Sequence, residues 1–159
     1  MKKSLLLLAI SFVVGCMPLA DVPEMEHKFV QYQPQFIELS KLICGLSDKT
    51  KQKIHLYQPG DYINYASVDT EPLQKIEQLL ADVGFDQFIL QGPPCSIALT
   101  EWDLWFGGEG QVMYFSFNPP NKPPFIAEQH VLEKLDLTRP IHFAKELKND
   151  WYIVYENEP

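Results

Sequence analysis

A chain of 159 residues with 46 % hydrophobic and 21 % charged side chains has the mixture of a folded globule of one or at most two domains, which excludes long intrinsic disorder. Thirteen Lys and Arg against 21 Asp and Glu leave a formal net charge of −8, and without the two lysines at positions 2 and 3 the figure is −10. A surface of that sign repels nucleic acid and anionic lipid and sets polyanion binding aside.

Lys2 and Lys3 open the sequence, residues 5–14 form a greasy run, and Val13, Val14, Gly15 and Cys16 close it. This run is about half of the roughly 20 residues a helix needs to cross a bilayer core. A positive start, a short apolar middle and a small residue before the cut describe a secretory leader over residues 1–15. The Val13-Val14-Gly15-Cys16 ending resembles the lipobox of bacterial lipoproteins, and the resemblance is confined to residues 1–16. It implies that Cys16 becomes the new N-terminus, with a diacylglyceryl group on its sulfur and an amide-linked chain on its nitrogen. Two or more acyl chains hold a protein firmly to a membrane where one holds it marginally. Met17 stands where the family's inner-membrane retention signal usually has Asp, which implies outer-membrane sorting, with the domain in the periplasm. An ordinary leader that happens to end near Cys16, or a buried N-terminal helix, is the plainer alternative.

With Cys16 taken up by lipid, Cys44 and Cys95 remain, an even pair in a chain expected to fold where disulfides persist. A bridge between them would close a loop of about 50 residues and stabilise by roughly 4 kcal/mol on the chain-entropy model. Two separate buried thiols are the alternative, and no Cys-x-x-Cys suggests a redox pair.

In chain order, residues 16–28 hold Pro18, Pro23 and several acids with no evident apolar period, and they read as the lipidated cysteine and its tether. At about 5 to 6 Å times the root of the residue number, that tether spans near 20 Å. Residues 29–159 then suit one hydrophobic core. Pro34, tolerated in an opening turn, begins a first helix with Phe36, Leu39 and Ile43 on one side and Gly45 as its left-handed cap. Residues 53–57 and 62–66 alternate around Pro59-Gly60 and predict a half-buried hairpin. The clearest helix covers 71–83. Asp69 or Thr70 caps it, Pro72 lies in its first turn, Leu73, Ile76, Leu80 and Val83 share a face, and Gly84 with Phe85 makes a Schellman stop. Residues 87–91 read as a strand, Gly92-Pro93-Pro94 as a break, and 95–106 as the next strand.

Gly108-Glu109, flanked by Gly107 and Gly110, predicts a two-residue hairpin turn. Its register sets Trp102, Leu104 and Phe106 against Phe115, Met113 and Gln111 on a core face, and Glu101, Asp103 and Trp105 against Ser116, Tyr114 and Val112 on the other. Residues 118–124 contain four prolines and make a loop or edge. A short helix is predicted over 127–135, with Val131, Leu132 and Leu135 apolar. A final hairpin of 142–147 and 151–155 turns at Asn149-Asp150 and places Phe143 and Leu147 beside Tyr155 and Trp151. Six or seven strands joined mainly as hairpins, with two or three helices packed on them, define a single α+β domain with an antiparallel sheet.

Chemistry is sparsely signalled. Gly-x-Ser-x-Gly, the elbow that presents an activated serine, does not occur, and His27, His55, His130 and His142 lack metal-ligand spacing. The glycines at 107–110 lie between strands, whereas a phosphate cradle precedes a helix. Glu101 and Asp103, two apart on one strand face and about 7 Å from each other, have the separation of an inverting glycosidase pair, with solvated surface acids as the plainer reading. The candidate binding surface is the second hairpin face, where Trp105 and Tyr114 stand diagonally near Asp103 and Glu101, or else the proline loop after Asn118. Aromatics mixed with acceptors dock a sugar ring, a peptide or a cationic side chain, unless a helix covers them.

The expectation is therefore a non-catalytic, outer-membrane-anchored periplasmic lipoprotein that binds another protein, its acidity suiting a basic partner. At class level it looks like two lipoprotein groups, immunity proteins or inhibitors and envelope accessory factors. The alternative is a protein that binds or hydrolyses peptidoglycan or another glycan, with Glu101, Asp103 or Glu109 in acid/base roles. No metal, cofactor or nucleic acid is expected in the first case.

Overall fold

The computed structural model describes residues 19–47, 54–60, 70–105 and 109–159. Its first helix, α1 (Val22–Gln31), starts where the tether was expected, so the folded domain begins before residue 29. The reason is local. Asp21 accepts from the Glu24 N–H at 2.9 Å while Glu24 accepts from the Asp21 N–H at 3.1 Å, a reciprocal capping box. Pro23 sits in the first turn, where its missing N–H costs nothing, and Val22, Met25 and Phe29 form one buried stripe.

Helix α2 (Gln33–Ser47) follows after Tyr32 and buries Phe36, Leu39, Ile43 and Leu46. Gly45 lies inside this helix, not at its cap as expected, because the spacing from Phe36 to Leu46 carries the buried face one turn further. Strand β1 (Ile54–Tyr57) pairs along one edge with a later strand, β2 (Phe88–Gln91), whereas the expectation was a hairpin with the next stretch of chain as its partner. That partner, residues 62–66, lies outside the described residues. Helix α3 (Thr70–Asp82) buries Leu73, Ile76, Leu79 and Leu80 and stops at Gly84, whose φ is +79°. The Gly84 N–H donates to the Ala81 carbonyl at 3.1 Å and the Phe85 N–H to the Leu80 carbonyl at 2.8 Å. This is the Schellman pair, and Phe85 folds back into the core.

Strands β3 (Ser96–Asp103), β4 (Gly110–Phe117), β5 (Ile141–Glu146) and β6 (Trp151–Glu158) complete a six-stranded antiparallel sheet of order β1-β2-β3-β4-β6-β5. In the last hairpin Phe143 faces Tyr155, and the Leu147 N–H donates to the Trp151 carbonyl at 2.9 Å, in the expected register. Asn149 and Asp150 have φ of 56° and 62°, the two left-handed residues of a tight turn that follows the sheet's twist. The predicted helix over 127–135 is absent. Those residues form turns and a single 3-10 turn at Leu132–Lys134, because a nine-residue stretch with nothing to extend it falls below the length at which helix nucleation is recovered.

All three helices bury their apolar stripes on one face of the sheet, against Ile97, Leu99, Met113, Phe115, Phe143, Trp151, Ile153 and Tyr155. A Cys44–Cys95 disulfide with a Cα separation of 5.7 Å ties the end of α2 to the turn before β3. The molecule is thus a single-domain α+β fold of two layers. Among the described residues, no helix lies on the opposite face of the sheet. The proline segment 118–124 reaches over it: Lys122 sits 4.6 Å above the Tyr152 ring. The same segment closes the free edge of β5 where the Ala144 N–H donates to the Pro123 carbonyl at 2.7 Å.

Candidate functional site on the open sheet face

The hairpin of β3 and β4 has a different register from the one expected, and the difference decides what its side chains can do. Leu99 faces Phe115 and Thr100 faces Tyr114, but beyond a bulge Trp102 faces Met113 and Asp103 faces Val112. The bulged residue is Glu101. One extra residue in a strand reverses the alternation, so the inward set changes from Ile97 and Leu99 to Trp102. The sequence carried that signal, because its apolar phase moves from odd to even numbers across Thr100 and Glu101.

The bulge separates the four residues singled out as a binding surface. Glu101 turns to the helical side and meets Lys28 of α1, with Nζ 2.7 Å from Oε2 and both side chains largely buried. Lys28 also lies 4.2 Å over the Phe85 ring. Asp103 is exposed, opposite Val112. Trp105 lies beyond the last strand pair and is 43 % exposed. Tyr114 alone stands in the middle of the open face. Glu101 and Asp103 therefore do not form a pair across one substrate, and Glu109 is exposed.

What the open face does present is a trough of about 320 Å³. Its floor consists of short side chains, Ser96, Ala98, Thr100 and Ser116, on β3 and β4. Ile89 and Gln91 of β2 form one wall, and Tyr114, Glu156 and Pro120 contribute the other side. A strip of small residues between larger ones makes a concavity in an otherwise pleated surface. Sequence reasoning named Tyr114 but missed the floor, since Ala98 and Thr100 were legible only as outward residues of a strand.

Electrostatics fix the far wall. The Tyr114 hydroxyl donates to Glu156 Oε1 at 2.7 Å. Burial, then the hydrogen bond and negative charge of Glu156, holds the phenol well above the ordinary tyrosine range, so it stays a neutral donor. Ser116 Oγ donates to the Ile97 carbonyl at 3.1 Å and is occupied with structure. The lining thus offers one carboxylate, hydroxyls, amide groups and an aromatic edge, an arrangement for recognition; the two carboxylates of glycoside hydrolysis are not brought together there.

A second cavity, about 250 Å³, lies between the start of α1 and the segment after the prolines. His130 lines it, stacked 4.6 Å from the Phe143 ring, with Nδ1 accepting from the Ile126 N–H at 2.9 Å. Burial holds its pKa below the usual value, so the neutral ring with Nε2 protonated is the form this contact requires. Lys145 closes the cavity through Glu26 at 2.7 Å and over the Phe125 ring. Among the described residues, no group of three or more His, Cys, Asp or Glu could hold a metal ion, and no helix is long and apolar enough to cross a membrane.

No protein-family model, curated protein or solved structure matches the chain.

Proposed function

We propose that this chain is a lipoprotein anchored through Cys16 in the outer membrane, whose periplasmic domain binds another protein on its open sheet face, as an immunity protein, inhibitor or envelope accessory factor does. The observation that supports this reading is the two-layer fold, in which the helices among the described residues all lie on one side of the sheet. A sheet ordinarily buries both apolar faces or keeps one strongly polar. Here the uncovered face carries Tyr114, Ile89, Val112 and Ala98 around a trough with a single charged group, Glu156. The partner is a protein with a basic contact surface. An overall charge of −10 once residues 1–15 are removed speeds its approach, and Glu156 receives a cationic side chain within the trough.

The test is face-specific crosslinking in intact cells. A photoreactive residue at Thr100, in the trough, is expected to give one defined protein adduct, and the same residue at exposed Lys75 on α3 none. Glu156→Gln keeps an oxygen for Tyr114 but removes the charge, and it is expected to lower the adduct yield about tenfold, the effect of a loss of about 1.4 kcal/mol. Equal capture from both positions would overturn the assignment of the face. An adduct with a wall glycan in place of a protein would overturn the protein-binding reading itself.

A further inference from the structure

We infer that the end of the domain that carries Leu19, Leu104 and Trp105 rests on the membrane, with these side chains at the level of the lipid headgroups; this rests on the proposed lipid anchor at Cys16. Of the large apolar side chains left exposed among the described residues, Leu19, Leu104 and Trp105 gather at one end of the domain, at 45 %, 50 % and 43 % exposure. Their neighbourhood is fixed by two contacts. The Trp102 indole N–H donates to the Ala20 carbonyl at 2.8 Å, which ties the start of the chain to the hairpin. The Leu104 N–H donates to the Gln111 carbonyl at 2.8 Å, and Gln111 lines the same hollow as Leu19 and Trp102.

Because α1 begins at Val22 and not after residue 28, the chain between anchor and domain is far shorter than its sequence suggested. Three residue steps separate Cys16 from Leu19. Fully extended they reach only about 10 Å. The interfacial layer of a bilayer is itself some 5 to 8 Å deep on each side, so an anchor of that length holds Leu19, and with it Leu104 and Trp105, at the headgroups. Tryptophan prefers that depth, with its ring against acyl chains and its N–H in water. Asp21, Asp103 and Glu109 surround the same end, so the matching surface is a zwitterionic bilayer, and contact stops at the headgroups because burying those carboxylates would be costly.

The natural lipidated product, purified in detergent and reconstituted into phosphatidylcholine vesicles, provides the test. Trp105→Cys is labelled with an environment-sensitive fluorophore while the Cys44–Cys95 bridge stays oxidised, and Lys75→Cys is labelled as the control. The expected result is a blue shift and at least a threefold rise in intensity at position 105 on reconstitution, with no change at position 75. A chain that floats with the vesicles while its 105 probe remains in water overturns this inference and leaves the anchor standing. A chain that fails to float overturns the anchor and the inference with it.

Discussion

Replacing both Cys44 and Cys95 with alanine is expected to lower the thermal midpoint by about 15 °C. The bridge spans a sequence separation of 51 and joins the C-terminal turn of α2 to the entry of β3, elements that otherwise meet only through side-chain packing. On the chain-entropy model a loop of that length restricts the unfolded chain by about 4 kcal/mol. A domain of this size gains roughly 0.3 kcal/mol per degree in unfolding entropy, which converts that loss to the stated shift. Reduction of the wild-type protein should give most of the same shift, and the doubly substituted protein should ignore reductant. Calorimetry with and without a thiol reagent checks both; a reagent-insensitive wild type would contradict the assignment.

The second large effect is expected from Phe36→Ala. Phe36 is fully buried, and its ring lies 5.1 Å from Phe29, 4.8 Å from Phe115, 5.0 Å from Trp151 and 6.5 Å from Phe85. It thus touches α1, the stop after α3, and strands β4 and β6 at once. Truncation removes transfer free energy and leaves a cavity lined by rings that cannot all move inward, a cost of about 3 to 5 kcal/mol. Urea unfolding should show the loss as a lower midpoint at unchanged slope. Val30→Ala, at a side chain 70 % exposed, should stay within about 0.5 kcal/mol of wild type. Against a typical total of 5 to 15 kcal/mol, loss of the Cys44–Cys95 bridge combined with Phe36→Ala would bring the domain close to unfolding.

These two effects concern elements whose logic was largely open in the sequence. The stripe from Phe36 to Ile43, the Gly84-Phe85 stop and the Asn149-Asp150 turn are local signals, and local signals survive into the fold because tertiary packing agrees with them. Helix α1 was hidden for a different reason. Its box of Asp21 and Glu24 stands among prolines and acids that mimic a linker, and its third core contact, Phe29, falls one residue beyond the apparent tether. The 127–135 stretch misled in the opposite sense. Val131, Leu132 and Leu135 are partly buried through loop packing, with no helical period needed to place them.

The candidate site was legible only by halves. Outward residues of β3 and β4 follow from alternation, but which face the helices cover is a property of the assembled layers. A bulge at one residue was enough to send Glu101 to Lys28 and dissolve the expected acidic and aromatic cluster. Tyr114 keeps its place because it lies on the regular strand, and it gains a meaning from Glu156, 42 residues away, that no short-range pattern could supply.

The proposed anchor carries the whole account, since it would set the compartment, the distance to the bilayer and the side from which a partner arrives. Intact mass of the natural product, extracted in detergent, tests it most directly. The account predicts a chain that begins at Cys16 and bears a diacylglyceryl group and an amide-linked acyl chain. A chain that still carries its first fifteen residues, or one that begins at Cys16 without acyl groups, would contradict it.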